Sequence, residues 1–207
     1  MRHLALLLIL ALPATAVTVD RIAAVIDRQV LTVSEVSQMV GIRFFPRTAE
    51  DEDGHRREVL DALIAQALRF RDVERFGAQD IPRDTIEARL VEIQRRFPNE
   101  TEFNAAVARA ELTLDEVRAL VKRQLQVEAY IQERFAPLVF ISNEDIAEYY
   151  RGPWTAQRRA RGLAIPPLET VREEVRTAVR ATRLQEEIGK WTGQLRARAN
   201  VDVYAWR

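Results

Sequence analysis

Leu168 to Asn200 constrains the fold more than any other stretch. It holds no proline and is rich in helix formers, so it reads as one helix of about nine turns. Leu168, Val171, Val175 and Val179 recur at steps of three and four and share one face, and so do Leu184, Ile188, Trp191 and Leu195. The step from Val179 to Leu184 breaks that spacing, and at about 3.6 residues per turn it swings the second stripe to the roughly opposite side. A straight helix here has to bury two sides against two partners. Val201-Asp202-Val203-Tyr204 then alternates like a short strand. Earlier parts of the chain must receive both.

With 207 residues the chain is long enough to bury a sizeable core in one or two domains. Its 31 basic and 31 acidic side chains balance, so no net charge favours a nucleic-acid partner. The absence of cysteine excludes a disulfide framework, a thiolate zinc site and a cysteine nucleophile. Histidine chemistry in the exported chain would rest on His55 alone. Residues 1–16 read as a signal peptide: Arg2 and His3 precede the apolar run Leu4 to Leu12, and Ala14-Thr15-Ala16 supplies small residues for cleavage after Ala16. That run is too short to span a bilayer, and no later stretch is apolar enough for stable membrane insertion.

Taken in order, Val19 to Ile26 reads as a strand, and Asp27-Arg28 turns it into Gln29-Val30-Leu31. Without glycine the turn type is open. Thr32-Val33-Ser34-Glu35 fits a capping box for a short helix stopping at Gly41. Two strands alone are marginal, and the carboxy-terminal strand is the natural third. Phe45 to Gly54 is expected as a loop whose acidic run, Glu50 to Asp53, lacks EF-hand spacing and is solvated. A long helix follows from about His55 to Phe76, with Leu60, Leu63, Ile64, Ala67 and Leu68 on one side and Gly77 at its end. Ile81-Pro82 opens another helix, striped by Ile86, Leu90, Ile93 and Phe97. A short helix begins near Thr101. Thr113-Leu114-Asp115-Glu116 is a second capping box, starting a helix to about Phe135, and Ser142 caps one more helix ending near Tyr150.

Gly152 to Pro167 breaks the pattern with three prolines, two glycines and the cluster Arg158, Arg159 and Arg161, and is expected as a linker or irregular crossing with solvated arginines.

Val19 to Ile26 followed by Val30 to Val36 resembles the opening of the SurA-type periplasmic chaperone domain. Ala62 to Leu68, the segment from Ile86, Thr113 to Val117, Val139 to Ile146 with Tyr149-Tyr150, and Val171 to Tyr204 with Trp191 resemble its later parts in the same order. The resemblance implies a mainly α, multi-helix chaperone domain. A small β-hairpin near the amino terminus would be joined by a carboxy-terminal strand, with the long last helix returning to the amino-terminal block. The expected organisation is a signal peptide at 1–16, a helical chaperone domain at 17–150, a linker at 151–167 and the returning helix and strand at 168–207. In isomerase relatives a parvulin domain stands between the exit and returning helices. Arg151 to Pro167 is too short for one, so prolyl isomerase activity is expected to be absent.

What the resemblance implies for function is an ATP-independent periplasmic holdase for unfolded polypeptides, typically outer-membrane β-barrel precursors, with no cofactor, metal or catalytic residue. Such a protein needs reachable apolar surface and tolerance of many sequences. The client-binding candidates are Phe44 and Phe45 beside the charged loop, then Met39, Phe70 and Phe76. Gly189 and Gly193, on the face of the last helix without a stripe, are candidates for close approach by a helix or a client backbone. The two-sided helix leaves a homodimer open. A scaffold protein gripping one fixed partner in envelope biogenesis is the alternative, and an isomerase or carboxylate-pair enzyme is the third reading.

Overall fold

The computed structural model describes residues 20–204; the expected signal peptide lies outside the described residues. Ile22–Ile26 (β1) and Gln29–Thr32 (β2) pair antiparallel, with a register shift between Ile22 and Ala24 that turns both Ala23 and Ala24 inward. Asp27 takes the positive φ of the tight turn, 54°, which aspartate tolerates better than most residues. Val201–Val203 (β3) closes the sheet on the other side of β1, giving the order β2-β1-β3. The first and last described strands therefore meet in one sheet.

Helix α1 (Val33–Gly41) begins with the Thr32–Glu35 capping box. Gly41 is its last helical residue, as expected, but not the residue that closes it. The left-handed residue is Arg43, at φ 50°, and the Phe44 and Arg43 amides donate back to the Met39 and Val40 carbonyls at 2.9 and 3.0 Å. This is a Schellman close built without glycine, and it drives Phe44 against Met39. The acidic run is loop only through Asp51. Asp51 caps α2 (Glu52–Phe76), accepting the Gly54 N–H at 2.6 Å, and Glu52 and Asp53 sit in its first turn, where the helix dipole favours negative charge. Gly77 ends the helix with φ 98°.

Helix α3 (Arg83–Gln94), α4 (Glu100–Arg109) and α5 (Leu114–Arg134) follow, with Asn99 and the Thr113–Glu116 box as caps of the latter two. Val59, Ile64 and Leu68 of α2, Ile93 of α3, Phe103 of α4 and Val117 and Val121 of α5 converge with the sheet in the largest core. Each such side chain contributes roughly 1.5–3 kcal/mol of transfer free energy.

Residues 151–167, expected as an irregular crossing, are largely structured. Helix α6 (Asn143–Tyr149), capped by Ser142, runs through a π-helical turn at Tyr150–Trp154 into α7 (Thr155–Ala160). The turn absorbs Pro153 and buries Trp154, whose ring stacks on Tyr150 at 5.3 Å. Arg158 is not simply solvated: it lies over the Trp154 ring and donates to the Ala164 carbonyl at 2.8 Å.

Helix α8 (Leu168–Arg198) has the two-sided burial that its sequence demands. Val175 and Val179 pack with Ile146 and Trp154, forming a small core with α6 and the π-helical turn. Ile188 and Trp191 pack instead with Val73 of α2 and Val127, Tyr130 and Ile131 of α5. Both partners lie within the chain. The Trp191 indole donates to Asp72 at 3.1 Å, and Arg69 donates to Thr192 at 2.7 Å, locking α8 onto α2.

Candidate functional site

Among the clefts that border α1, two hold sequence candidates. The first, of about 300 Å³, has an apolar lining of Leu31, Met39, Leu63, Leu112 and Leu120, with Ala119 and Arg123 at its rim. Glu35 and Glu116 also border it, but each carboxylate is bound to its own cap: Glu35 accepts from Thr32 N–H and Glu116 from Thr113 N–H, both at 2.7 Å. The Thr113 amide, then its hydroxyl, hold the Glu116 carboxyl below the usual carboxylate range. These two groups fix helix ends at the cleft mouth. The arrangement presents apolar surface on rigid elements, which suits binding rather than chemistry.

The second cleft, of about 610 Å³, lies between the end of α1, the 43–47 segment, the start of α2 and the end of α3; Arg43, Phe45, Arg47, His55 and Arg96 are among its lining. His55 is buried, and its Nδ1 lacks a hydrogen-bond partner while lying 3.6 Å from the Glu58 carboxylate. Glu58 itself is occupied by the 48–49 segment: the Thr48 hydroxyl, then the Ala49 N–H, hold its carboxyl low.

The sequence candidates disperse over these surfaces. Met39 is buried but lines the apolar cleft, and Phe45 lines the arginine-rich one. Phe44, expected at the surface, is a core residue only 2 % exposed, because the non-glycine close of α1 folds it inward onto the body of the domain. Phe70 is half-buried beneath Arg123, whose guanidinium lies 4.7 Å from its ring centroid. Phe76 is exposed at the end of α2, flanked by Arg75 and Arg134. Gly189 and Gly193 receive no close neighbour: a Cβ built on either meets nothing within 4 Å. Among the described residues, then, no helix makes the expected close approach.

Sequence reasoning missed Leu138 and Phe140, which are 74 % and 85 % exposed. The signal was present. Leu138 to Ile141 is an apolar run in which Leu138 ends a 3-10 turn (Ala136–Leu138), and the extended residues after it bury Val139 while turning Phe140 out. Leu63, expected on a helix face, lines the apolar cleft with Leu112 and Leu120, and a cleft between helices leaves no mark in one helix's periodicity.

Among the described residues no group of three or more histidine, cysteine, aspartate or glutamate side chains is placed to hold a metal ion, and no helix is long and apolar enough to cross a membrane. No family model matches the chain. It is 26% identical over 146 residues to Chaperone SurA of Pseudomonas putida, covering 67% of this chain and 34% of that protein. It is 23% identical over 148 residues to Chaperone SurA of Saccharophagus degradans, covering 67% and 33%. To Chaperone SurA of Chromobacterium violaceum it is 28% identical over 163 residues, covering 75% and 38%. The matches span about a third of the length of these curated relatives. At this level the similarities support a SurA-like chain.

Proposed function

We propose that the chain is an ATP-independent periplasmic holdase that binds unfolded polypeptides, outer-membrane β-barrel precursors among them, and has no prolyl isomerase activity. The observation that carries this reading is the apolar cleft between α1, α2 and α5, open to solvent and framed by two capped helix ends. Its wall offers shape and apolar contact without a fixed polar pattern, which is what tolerance of many sequences requires. Exposed Phe140 and Leu138 add reachable apolar surface. The signal-like residues 1–16 and the resemblance support export to the periplasm. The interval between α6 and α8, filled by the π-helical turn and α7, supports the missing isomerase.

The test dilutes an unfolded β-barrel protein from urea into the chain beginning at Val17, follows light scattering, and runs a proline-peptide isomerisation assay beside it. Suppression near stoichiometric ratio without isomerisation is expected. Ala119→Trp, at an exposed rim position, should block the cleft and reduce suppression while leaving far-UV circular dichroism unchanged. Absence of suppression across several clients overturns the general holdase and favours a dedicated partner.

A further inference from the structure

We propose that the cleft of about 610 Å³ at the end of α1 is a site for the free α-carboxylate of a polypeptide, with the apolar side chain of that terminal residue against Phe45 and Val40. This rests on the polypeptide-binding reading above. Arg43 and Arg96 interlock at one wall of the cleft. The Arg43 guanidinium donates to the Arg96 carbonyl, and Arg96 Nη1 donates to the Arg43 and Phe44 carbonyls at 2.6 and 2.7 Å. Every acceptor in that exchange is a neutral carbonyl. Each guanidinium carries five N–H donors, and these bonds use only one nitrogen of each, Nη1.

Arg47 adds a third guanidinium, which donates to the Ala49 and Glu50 carbonyls at 3.0 and 2.8 Å and whose ion pair with Glu52, at 3.5 Å, engages the one carboxylate among the residues lining the cleft. The cleft wall thus carries three guanidiniums against one carboxylate. Burial pulls Arg96 below its ordinary value; the more distant Glu92 opposes this and Arg89 adds to it. An anion in the cleft would relieve that cost.

The site is preorganised. The Arg43 guanidinium lies over the Phe97 ring at 4.6 Å, and Phe45 is held edge-on by the buried Phe44 at 5.1 Å. The positive φ of Arg43 fixes where its side chain leaves the backbone. A phosphate would use the cations and leave Phe45, Val40 and Pro46 unused. A chain end presents a carboxylate and a side chain on one carbon, and so uses both halves of the cleft. Guanidinium groups match carboxylate geometry with paired parallel bonds.

The experiment measures fluorescence anisotropy of a labelled hexapeptide ending in phenylalanine, as free acid and as carboxy-terminal amide, on the chain beginning at Val17. The acid should bind at least tenfold tighter than the amide. In the double variant Arg43→Gln and Arg96→Gln, where glutamine still offers an N–H to the neighbouring carbonyls, that preference should vanish with amide affinity unchanged. Equal affinity of acid and amide for the unsubstituted chain overturns the proposal without reference to any variant, and so does failure of both peptides to bind. Inorganic phosphate binding as tightly as the acid reassigns the cleft to simple anions and overturns it too. Barrel-precursor aggregation, measured on the same samples, reads the holdase separately. Acid preference without suppression supports the carboxylate site and removes the holdase, and suppression without acid preference does the reverse.

Discussion

Asp27 and Asn200 hold each other across 173 positions of sequence: the Asp27 N–H donates to the Asn200 carbonyl at 2.8 Å, and the Asp27 carboxylate accepts the Asn200 N–H at 2.8 Å. Arg71 of α2 reaches the same carboxylate at 2.5 Å. One side chain in the first hairpin thereby ties the end of the chain to the longest helix of the main core.

The Asp27 carboxyl is held below the usual carboxylate range, first by the Asn200 N–H and then by Arg71. Glu58, Glu116 and Asp145 are likewise held low, by the Thr48 hydroxyl, the Thr113 N–H and the Ser142 hydroxyl respectively. Groups whose folded pKa is depressed contribute stability that is complete above the unfolded carboxylate range, near pH 4, and lost as pH falls through the lower folded values. The urea midpoint should therefore be level near neutrality and fall below about pH 4. Asp27→Asn should lower the midpoint at pH 7, with the gap to the unsubstituted chain closing in acid. A gap that stays constant with pH would show that charge at Asp27 is not the source.

Trp191 joins α8 to the α2–α5 face by ring packing and by its indole bond to Asp72. Trp191→Phe keeps most of the packing and removes the bond, an expected loss of about 1 kcal/mol. Trp191→Ala removes both and should cost about 3–5 kcal/mol. Equilibrium unfolding in urea separates the two, and equal losses would mean that the ring contributes little.

Ile146 is fully buried in the small core formed with Trp154, Val175 and Val179. Ile146→Val should cost about 1 kcal/mol and Ile146→Ala about 2–5 kcal/mol. Because this core is separate from the larger one, hydrogen exchange should rise in α6, α7 and the first half of α8, with α2 protected as before. A uniform rise across the chain would instead make the two cores one cooperative unit.

Gly189 and Gly193 lie on open helix surface. Alanine at either position should stabilise the chain by about 1 kcal/mol, the helix-propensity difference. Unchanged or lower stability on thermal unfolding would mean that a contact outside this chain needs the bare backbone.

Much of the architecture was legible because it is written in local patterns. The five-residue step from Val179 to Leu184 announced two buried sides of α8, and the structure supplies two cores in one chain to receive them. The Thr32, Thr113 and Ser142 caps were readable because a capping box is complete within four residues. Local chemistry also misled. Arg43 and Glu111 occupy left-handed positions usually given to glycine, so glycine spacing does not mark the close of α1, and Phe44 beside it is core rather than surface. Pro153 and its neighbours suggested a linker, where a π-helical turn carries the helix onward and buries Trp154.

What the sequence determined by itself was the order of the main elements, the helix starts marked by capping boxes and the need for a returning helix and strand. Each follows from periodicity or from bonds between residues a few positions apart. Only the tertiary structure decided which apolar residues remain reachable. Met39 and Val40 are adjacent in sequence yet line different clefts, and Phe44 is core while neighbouring Phe45 lines a cleft. Exposure depends on what other elements cover a face, and no residue's own neighbours along the chain encode that.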